Sequence, residues 1–158
     1  METGFKGVAG QLHRQFCGCV FLSFLFVKSG ASHQILVDYY NSFLAAKLSA
    51  PPMQLFLRGV LCNFCVCLAV LTGTRMKSES GKLIVMFCVI MAFVVSGFEH
   101  CVANMYYITA GLLCKLNPAY VQLAMEQYGY TADQLAALNV GSFLIGNLLP
   151  VTIGNMIG

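Results

Sequence analysis

The longest apolar segment of the chain, Leu83–Cys114, sets the strongest limit on what the chain can fold into. It has 32 residues, and one straight α-helix of that length would measure about 48 Å at 1.5 Å per residue. The hydrocarbon core of a bilayer is only about 30 Å thick. The sequence Ser96-Gly-Phe-Glu-His100 interrupts the segment near its middle with small and ionisable residues. We therefore predict two half-helices joined by a break, and not one continuous rod.

The composition explains why such a segment belongs in a membrane. Globular domains carry about 25% charged residues, whereas this chain of 158 residues has 9% charged and 58% hydrophobic residues. That is too little charge to cover a soluble domain, and disorder would need low hydrophobicity and high net charge. The net charge of +3 comes from scattered basic residues, without the basic patch that nucleic-acid binding requires. The composition predicts an all-α integral membrane protein that has the lipid bilayer as a partner and no nucleic-acid partner.

The apolar and amphipathic stretches predict one partial transmembrane domain over 1–158, with about three to four spans. A spanning helix needs about 20 mostly apolar residues, and the first candidate is barely long enough. A signal peptide is the alternative for that first segment, although the following Lys28-Ser-Gly-Ala-Ser-His is a poor cleavage site. The expected segments are a short or partial span (16–28), a connecting amphipathic helix ended by Pro51 and Pro52 (31–52), a span (53–72), the broken span (83–114) and the start of a last span (135–158).

The polar loop 73–82 predicts the orientation in the membrane. It carries Arg75, Lys77 and Lys82, and basic residues are enriched in cytoplasmic loops. Two crossings separate this loop from the N-terminal Lys6 and Arg14, so both basic clusters face the same side. We expect a multi-pass protein of the plasma or inner membrane, with its N-terminus and the 73–82 loop in the cytoplasm.

The break contains the first candidate functional residues, Glu99 and His100. Ionisable side chains inside a membrane are costly and indicate function by default, although a purely structural pair that satisfies the backbone at the break is the alternative. Asn104 shares a helix face with His100 because it lies one turn later. Asn63 shares a face with Val66 in the preceding span, where an Asn can also serve only to join helices. No arrangement of Ser, His and Asp or of paired carboxylates is present to suggest hydrolysis, so we do not expect an enzyme.

The eight cysteines favour packing over chemistry. Seven lie within apolar stretches and Cys114 lies at the end of one, where a free Cys behaves as a small hydrophobe. The spacing of Cys62 and Cys65 formally fits a redox or metal pair, but no His or second Cys pair stands at zinc-like spacing from it. We predict no metal and no cofactor, and a redox or metal-binding membrane subunit is the remote alternative.

Three segments carry a family resemblance. The sequences Asn63-Phe-Cys-Val-Cys-Leu-Ala-Val70, Ser96-Gly-Phe-Glu-His-Cys-Val-Ala-Asn-Met105 and Asn147-Leu-Leu-Pro-Val-Thr-Ile-Gly-Asn155 closely resemble signatures of the formate/nitrite transporter family, in the family's order. The resemblance covers roughly 43–158. It implies an aquaporin-like fold of two inverted three-helix repeats, with six-helix protomers in a homopentamer and an anion pore in each protomer.

The resemblance also implies roles for particular residues. His100 matches the central pore histidine, with Asn104 and Asn63 as polar pore groups beside it. Ser96 and Gly97 match the helix break, and Lys47 falls by spacing where the family places a basic residue at the outer vestibule. The apolar constriction positions are matched by Val66 and Phe93.

The expected function is transport of small monovalent anions of weak acids. His100 would relay a proton or a hydrogen bond, because imidazole has a reference pKa near 6.5, and Glu99 would orient His100 or bind backbone at the break. Formate, nitrite, hydrosulfide, acetate and lactate all fit this class, and formate and nitrite lead because of the family name. The family's first two spans have no visible counterpart here, so the alternative is a truncated, non-transporting membrane fragment or a structural passenger subunit.

Overall fold

Helices account for every regular element in the part of the chain that the computed structural model describes, residues 2–30 and 45–158. The all-α fold class predicted from the sequence is confirmed. The elements, in chain order, are α1 (Glu2–Lys28), α2 (Ala45–Ser49), α3 (Pro52–Arg75), α4 (Glu79–Val95), α5 (Cys101–Lys115), α6 (Pro118–Tyr128), α7 (Ala132–Ala137), a π-helix (Ser142–Leu148) and α8 (Leu149–Ile157).

The first predicted span, 16–28, is the C-terminal half of a longer helix. α1 has 27 residues and begins at Glu2, because the polar residues before Phe16 include no proline and extend the helix without adding to its apolar run. The predicted connecting helix 31–52 lies largely outside the described residues, and its described part contains the short helix α2.

The predicted span 53–72 corresponds to α3. This helix has 24 residues and begins with Pro52 at its first position, where the missing N–H of proline has no helical partner to lose. Among the described residues, α3 is the one helix long and apolar enough to cross a membrane. Its length of about 36 Å at 1.5 Å per residue matches the hydrocarbon thickness with a small excess.

The predicted broken span 83–114 falls on two helices, α4 and α5, which are separated by a non-helical segment at 96–100. Ser78 caps the start of α4 by accepting a hydrogen bond from Gly81 N at 3.2 Å. No residue of α4 is buried, and Leu83, Phe87 and Val95 are each more than three-fifths exposed. An apolar surface of this kind marks contact with lipid or with another chain.

The last predicted segment, 135–158, contains the second half of α7, the π-helix and α8. Thr131 begins α7 with a capping box, since its hydroxyl accepts from Gln134 N and the Gln134 side chain accepts from Thr131 N. Pro150 lies in the first turn of α8, directly after the π-helical turns, where the wider helix accommodates the lost backbone donor.

The chain divides into two units. The first unit consists of the described parts of 1–50 together with 102–146. Its core joins α1, α5 and α6 through an apolar cluster of Val27, Ala110, Cys114, Tyr120 and Ala124. In the same unit, Ser23 Oγ donates to Tyr106 O at 3.0 Å, which ties α1 to α5.

The second unit consists of 51–101 together with 147–158. Here α3 packs against both α4 and α8. The contact between α3 and α8 is very close, because a Cβ at Gly59 would lie 2.9 Å from Val151 O, and a Cβ at Gly154 would collide with Phe56 O. Glycine at both positions allows the two backbones to approach each other directly.

Candidate functional site

The break between α4 and α5 depends on a glycine. Ser96 closes α4, and Gly97 follows with a φ of 70°, in the left-handed region that glycine enters without steric strain. Gly97 N donates to Val94 O at 3.1 Å, and Phe98 N donates to Phe93 O at 3.1 Å. These two bonds form a Schellman motif, which satisfies the last carbonyls of a helix while ending it. The helix α4 therefore ends just before the two ionisable residues.

Glu99 is held by its backbone on the surface of α3. Its N–H donates to Arg58 O at 3.3 Å, and its carbonyl oxygen accepts from Asn155 Nδ2 at 2.9 Å. Its side chain is 1% exposed. The break segment is thus anchored to the helices of the second unit and is not a loose loop.

Asn155, from α8, is the residue of this site that the sequence analysis did not single out. Besides the bond to Glu99, its Nδ2 donates to Gly59 O at 2.8 Å, and its Oδ1 accepts from Cys101 N at 2.8 Å. Cys101 begins α5, and the first N–H groups of a helix have no partner within the helix. The sequence feature that could have identified Asn155 is its polar side chain within the apolar last segment, at the end of the third family motif.

His100 lies between these anchored residues, immediately before α5. Its ring stacks against Phe93, with 6.4 Å between ring centroids and 27° between ring planes, and both residues are half-buried. Phe93 and His100 are thereby brought together from the two sides of the break. An imidazole at a helix N-terminus, where the helix dipole favours negative charge, can hydrogen-bond an anion or exchange a proton with it.

The two candidates on α3 are also half-buried. Asn63 Nδ2 lies 3.7 Å from Cys67 Sγ, one turn along the same helix, and Val66 lies on the same helix. Their predicted places, beside the substrate and in the constriction, stay predictions.

The remaining two candidates belong to the first unit. Lys47 lies on α2 and is 5% exposed, and Asn104 lies on α5 and is fully buried. Ionisable side chains are seldom buried to this extent without a partner. Its predicted role at an outer vestibule stays a prediction.

Metal-binding groups were not expected from the sequence. Within residues 2–30 and 45–158, no three or more His, Cys, Asp and Glu side chains group in a way that could hold a metal ion.

Comparison with known proteins decides the family. The family model described as Formate/nitrite transporter matches residues 6–158. The chain belongs to the formate/nitrite transporter family. The match begins at residue 6, so it extends beyond the region 43–158 over which the resemblance was expected and includes most of α1.

Curated members of the formate/nitrite transporter family are similar to most of the chain. It is 40% identical to Formate channel FocB of Escherichia coli (strain K12) over 102 residues, which are 63% of this chain and 35% of that protein. It is 32% identical to Nitrite transporter NirC of Salmonella typhimurium over 139 residues, 87% of this chain and 44% of that protein. The chain therefore spans less than half the length of these relatives.

Solved structures of the family share the fold. A structure described as a pentameric formate channel with formate bound superposes with a TM-score of 0.78 at 31% identity, over 90% of this chain and 56% of that chain. A second structure, described as an FNT family ion channel, superposes with a TM-score of 0.66 at 30% identity, over 90% of this chain and 49% of that chain. The predicted family and its helical fold are thus confirmed.

Proposed function

We propose that this chain forms part of a membrane channel or transporter for small monovalent anions of weak acids, with formate and nitrite as the leading substrates. The observation that carries the proposal is the position of His100, which lies immediately before α5 and after the Schellman motif that ends α4, with its ring against Phe93. Family membership and the names of the relatives, formate channels and a nitrite transporter, support the same class of substrate.

The physical problem for such a pore is the charge of the substrate. Moving an unpaired anion from water into an apolar constriction costs many kcal/mol, because its hydration is lost. A weak acid avoids this cost when it is protonated before the narrow part. An imidazole with a reference pKa near 6.5 can supply or relay that proton, or donate the hydrogen bond that favours the neutral acid.

We assign the other candidate residues to the remaining steps of anion permeation. Asn63 and Asn104 hydrogen-bond the oxygens of the substrate, while Phe93 and Val66 keep water out of the constriction. Lys47 attracts anions towards the vestibule through its positive charge. Glu99 positions the break by its backbone and stays away from the substrate, since two anions repel each other.

We further propose a homopentamer in the plasma or inner membrane, crossed several times by each chain. The description of the solved relative as a pentamer supports this assembly. The basic residues Arg75, Lys77 and Lys82 support a cytoplasmic 73–82 loop and, with it, a cytoplasmic N-terminus.

The test is formate and nitrite flux into proteoliposomes at several pH values. Wild-type flux is expected to depend on pH, and His100→Phe is expected to abolish that dependence because the titrating ring is lost. His13→Phe, at an exposed position on α1, is the matched control and is expected to keep the wild-type profile.

Two results would contradict the proposal in different ways. An unchanged pH profile in His100→Phe removes His100 from the mechanism. No flux from the membrane-inserted wild-type chain favours the alternative, a non-transporting membrane fragment or a passenger subunit.

A further inference from the structure

The side-chain amide of Asn155 joins three separate segments of the second unit. Its two N–H groups donate to Gly59 O at 2.8 Å and to Glu99 O at 2.9 Å, and its oxygen accepts from Cys101 N at 2.8 Å. The orientation of the amide is fixed by these partners. A flipped amide would place its oxygen against two carbonyl oxygens and its NH₂ group against an N–H donor.

Two of the three hydrogen-bond partners of Asn155 flank His100 in the chain. Glu99 and Cys101 are the residues immediately before and after it, and the third partner, Gly59, belongs to α3. One side chain therefore anchors both neighbours of the imidazole-bearing residue to a regular helix. We propose that Asn155 is a positioning residue, which holds His100 in the orientation that places its ring against Phe93.

The helices α3 and α8, which are joined by the Asn155 amide, pack closely enough to hold the break segment at a fixed distance from α3. A Cβ at Gly59 would lie 3.3 Å from Asn155 Nδ2, and the neighbouring Gly154 allows the backbone of α8 to contact α3. Groups that must be placed to within a fraction of an ångström are best supported by rigid elements and second-sphere hydrogen bonds. This proposal rests on the proposed function for its consequence in transport, but its geometric part is testable without transport.

A packing role and a hydrogen-bonding role for Asn155 predict opposite rankings of two variants. Asn155→Asp keeps the shape of the side chain but replaces the donor nitrogen Nδ2 with an oxygen, which then faces the carbonyl oxygens of both Gly59 and Glu99. Asn155→Ala removes the same atoms without introducing repulsion. If Asn155 only fills space, the alanine variant is the more damaged of the two, whereas the positioning role makes the aspartate variant at least as damaged.

The experiment uses the full chain in proteoliposomes, with two readouts. The first is formate flux against pH. The second is the rate at which diethylpyrocarbonate modifies His100, followed by mass spectrometry. We expect Asn155→Asp to lower the flux about tenfold or more, since misplacement of a functional group by about 1 Å can cost a hundredfold in rate. We also expect it to move the midpoint of the remaining pH profile and to change the rate of His100 modification severalfold.

The matched control is Asn117→Asp on α6. Asn117 caps that helix by accepting from Ala119 N at 3.1 Å, and aspartate accepts the same bond equally well. Its flux, pH midpoint and His100 modification rate are expected to equal those of the wild type.

Each outcome decides one of the two proposals. Wild-type flux and pH profile in Asn155→Asp, together with loss of pH dependence in His100→Phe, overturns the positioning role and leaves the proposed function intact. An unchanged profile in His100→Phe overturns the proposed role of His100 in transport. Equal His100 modification in the wild type and Asn155→Asp overturns the positioning role whether or not the chain transports. If the variants fail to insert, hydrogen exchange in the wild type is decisive: slow exchange at the Cys101 amide supports the anchor, and exchange as fast as in a free helix end refutes it.

Discussion

The two units of the chain are stabilised in different ways. The first unit relies on an apolar cluster in which Val27, Ala110 and Tyr120 pack together, and its helix ends are capped locally, by Asn117 for α6 and by Thr131 for α7. The second unit contains the helix break, and it holds that break through hydrogen bonds between residues distant in sequence. Asn155, for example, bonds to Gly59 and to Cys101, 96 and 54 residues away.

The two units differ in this way because the backbone polar groups at the helix break of the second unit need hydrogen-bond partners from elsewhere in the protein. Irregular backbone at membrane depth is tolerated only where protein or a water-filled cavity satisfies it. The second unit meets this requirement with a Schellman motif on one side of the break and the Asn155 amide on the other. Polar groups in an apolar setting are therefore a better guide to the functional region than the apolar core is.

The largest effect that we expect in this comparison is from Gly154→Ala. A Cβ there would collide with Phe56 O and lie 3.1 Å from both Gly59 Cα and Val60 N, so α8 must move away from α3. Overpacking typically costs about 1–3 kcal/mol, and the loss is expected at or above the top of that range because backbone atoms cannot rotate aside. Unfolding by sodium dodecyl sulfate in mixed micelles measures the change.

The control for that variant is Gly18→Ala on α1, where a new Cβ would meet no atom of the described residues within 4 Å. Alanine is the better helix former by about 1 kcal/mol, so this variant is expected to be as stable as the wild type or slightly more so. Equal stability of the two alanine variants would refute the direct backbone contact in the second unit.

A smaller effect is expected from Thr131→Ala in the first unit. The variant loses the hydroxyl that accepts from Gln134 N at 3.3 Å, and the loss of such a cap costs about 1 kcal/mol. Faster hydrogen exchange confined to the first turn of α7 would show it. Thr131→Ser keeps the hydroxyl and is expected to exchange like the wild type, and faster exchange in that variant as well would show that the cap is not the cause.

The break was predictable from the sequence because its causes are local. A segment too long for the bilayer, with Gly97 in its middle, predicts an interrupted helix, and the ionisable pair after it marks the candidate site. The start of α1 was harder to predict from the sequence, since the polar residues before Phe16 do not form part of an apolar span but still form a helix.

The Asn155 anchor was not predictable, because its partners are set by tertiary structure. The sequence shows a polar residue in an apolar segment, and such a residue can face a pore, a neighbouring helix or a helix end. Only the close approach of α8 to α3, which Gly59 and Gly154 allow, places its amide beside the break. The stacking of Phe93 on His100 depends in the same way on how the chain turns at Gly97.

The central claim is that His100 contacts the permeating anion. The most direct measurement is the rate of His100 modification by diethylpyrocarbonate in the membrane-embedded wild-type chain, with and without formate, with His13 as the internal reference. The account predicts that formate slows the modification of His100 severalfold and leaves that of His13 unchanged. Equal rates at His100 with and without formate would contradict it.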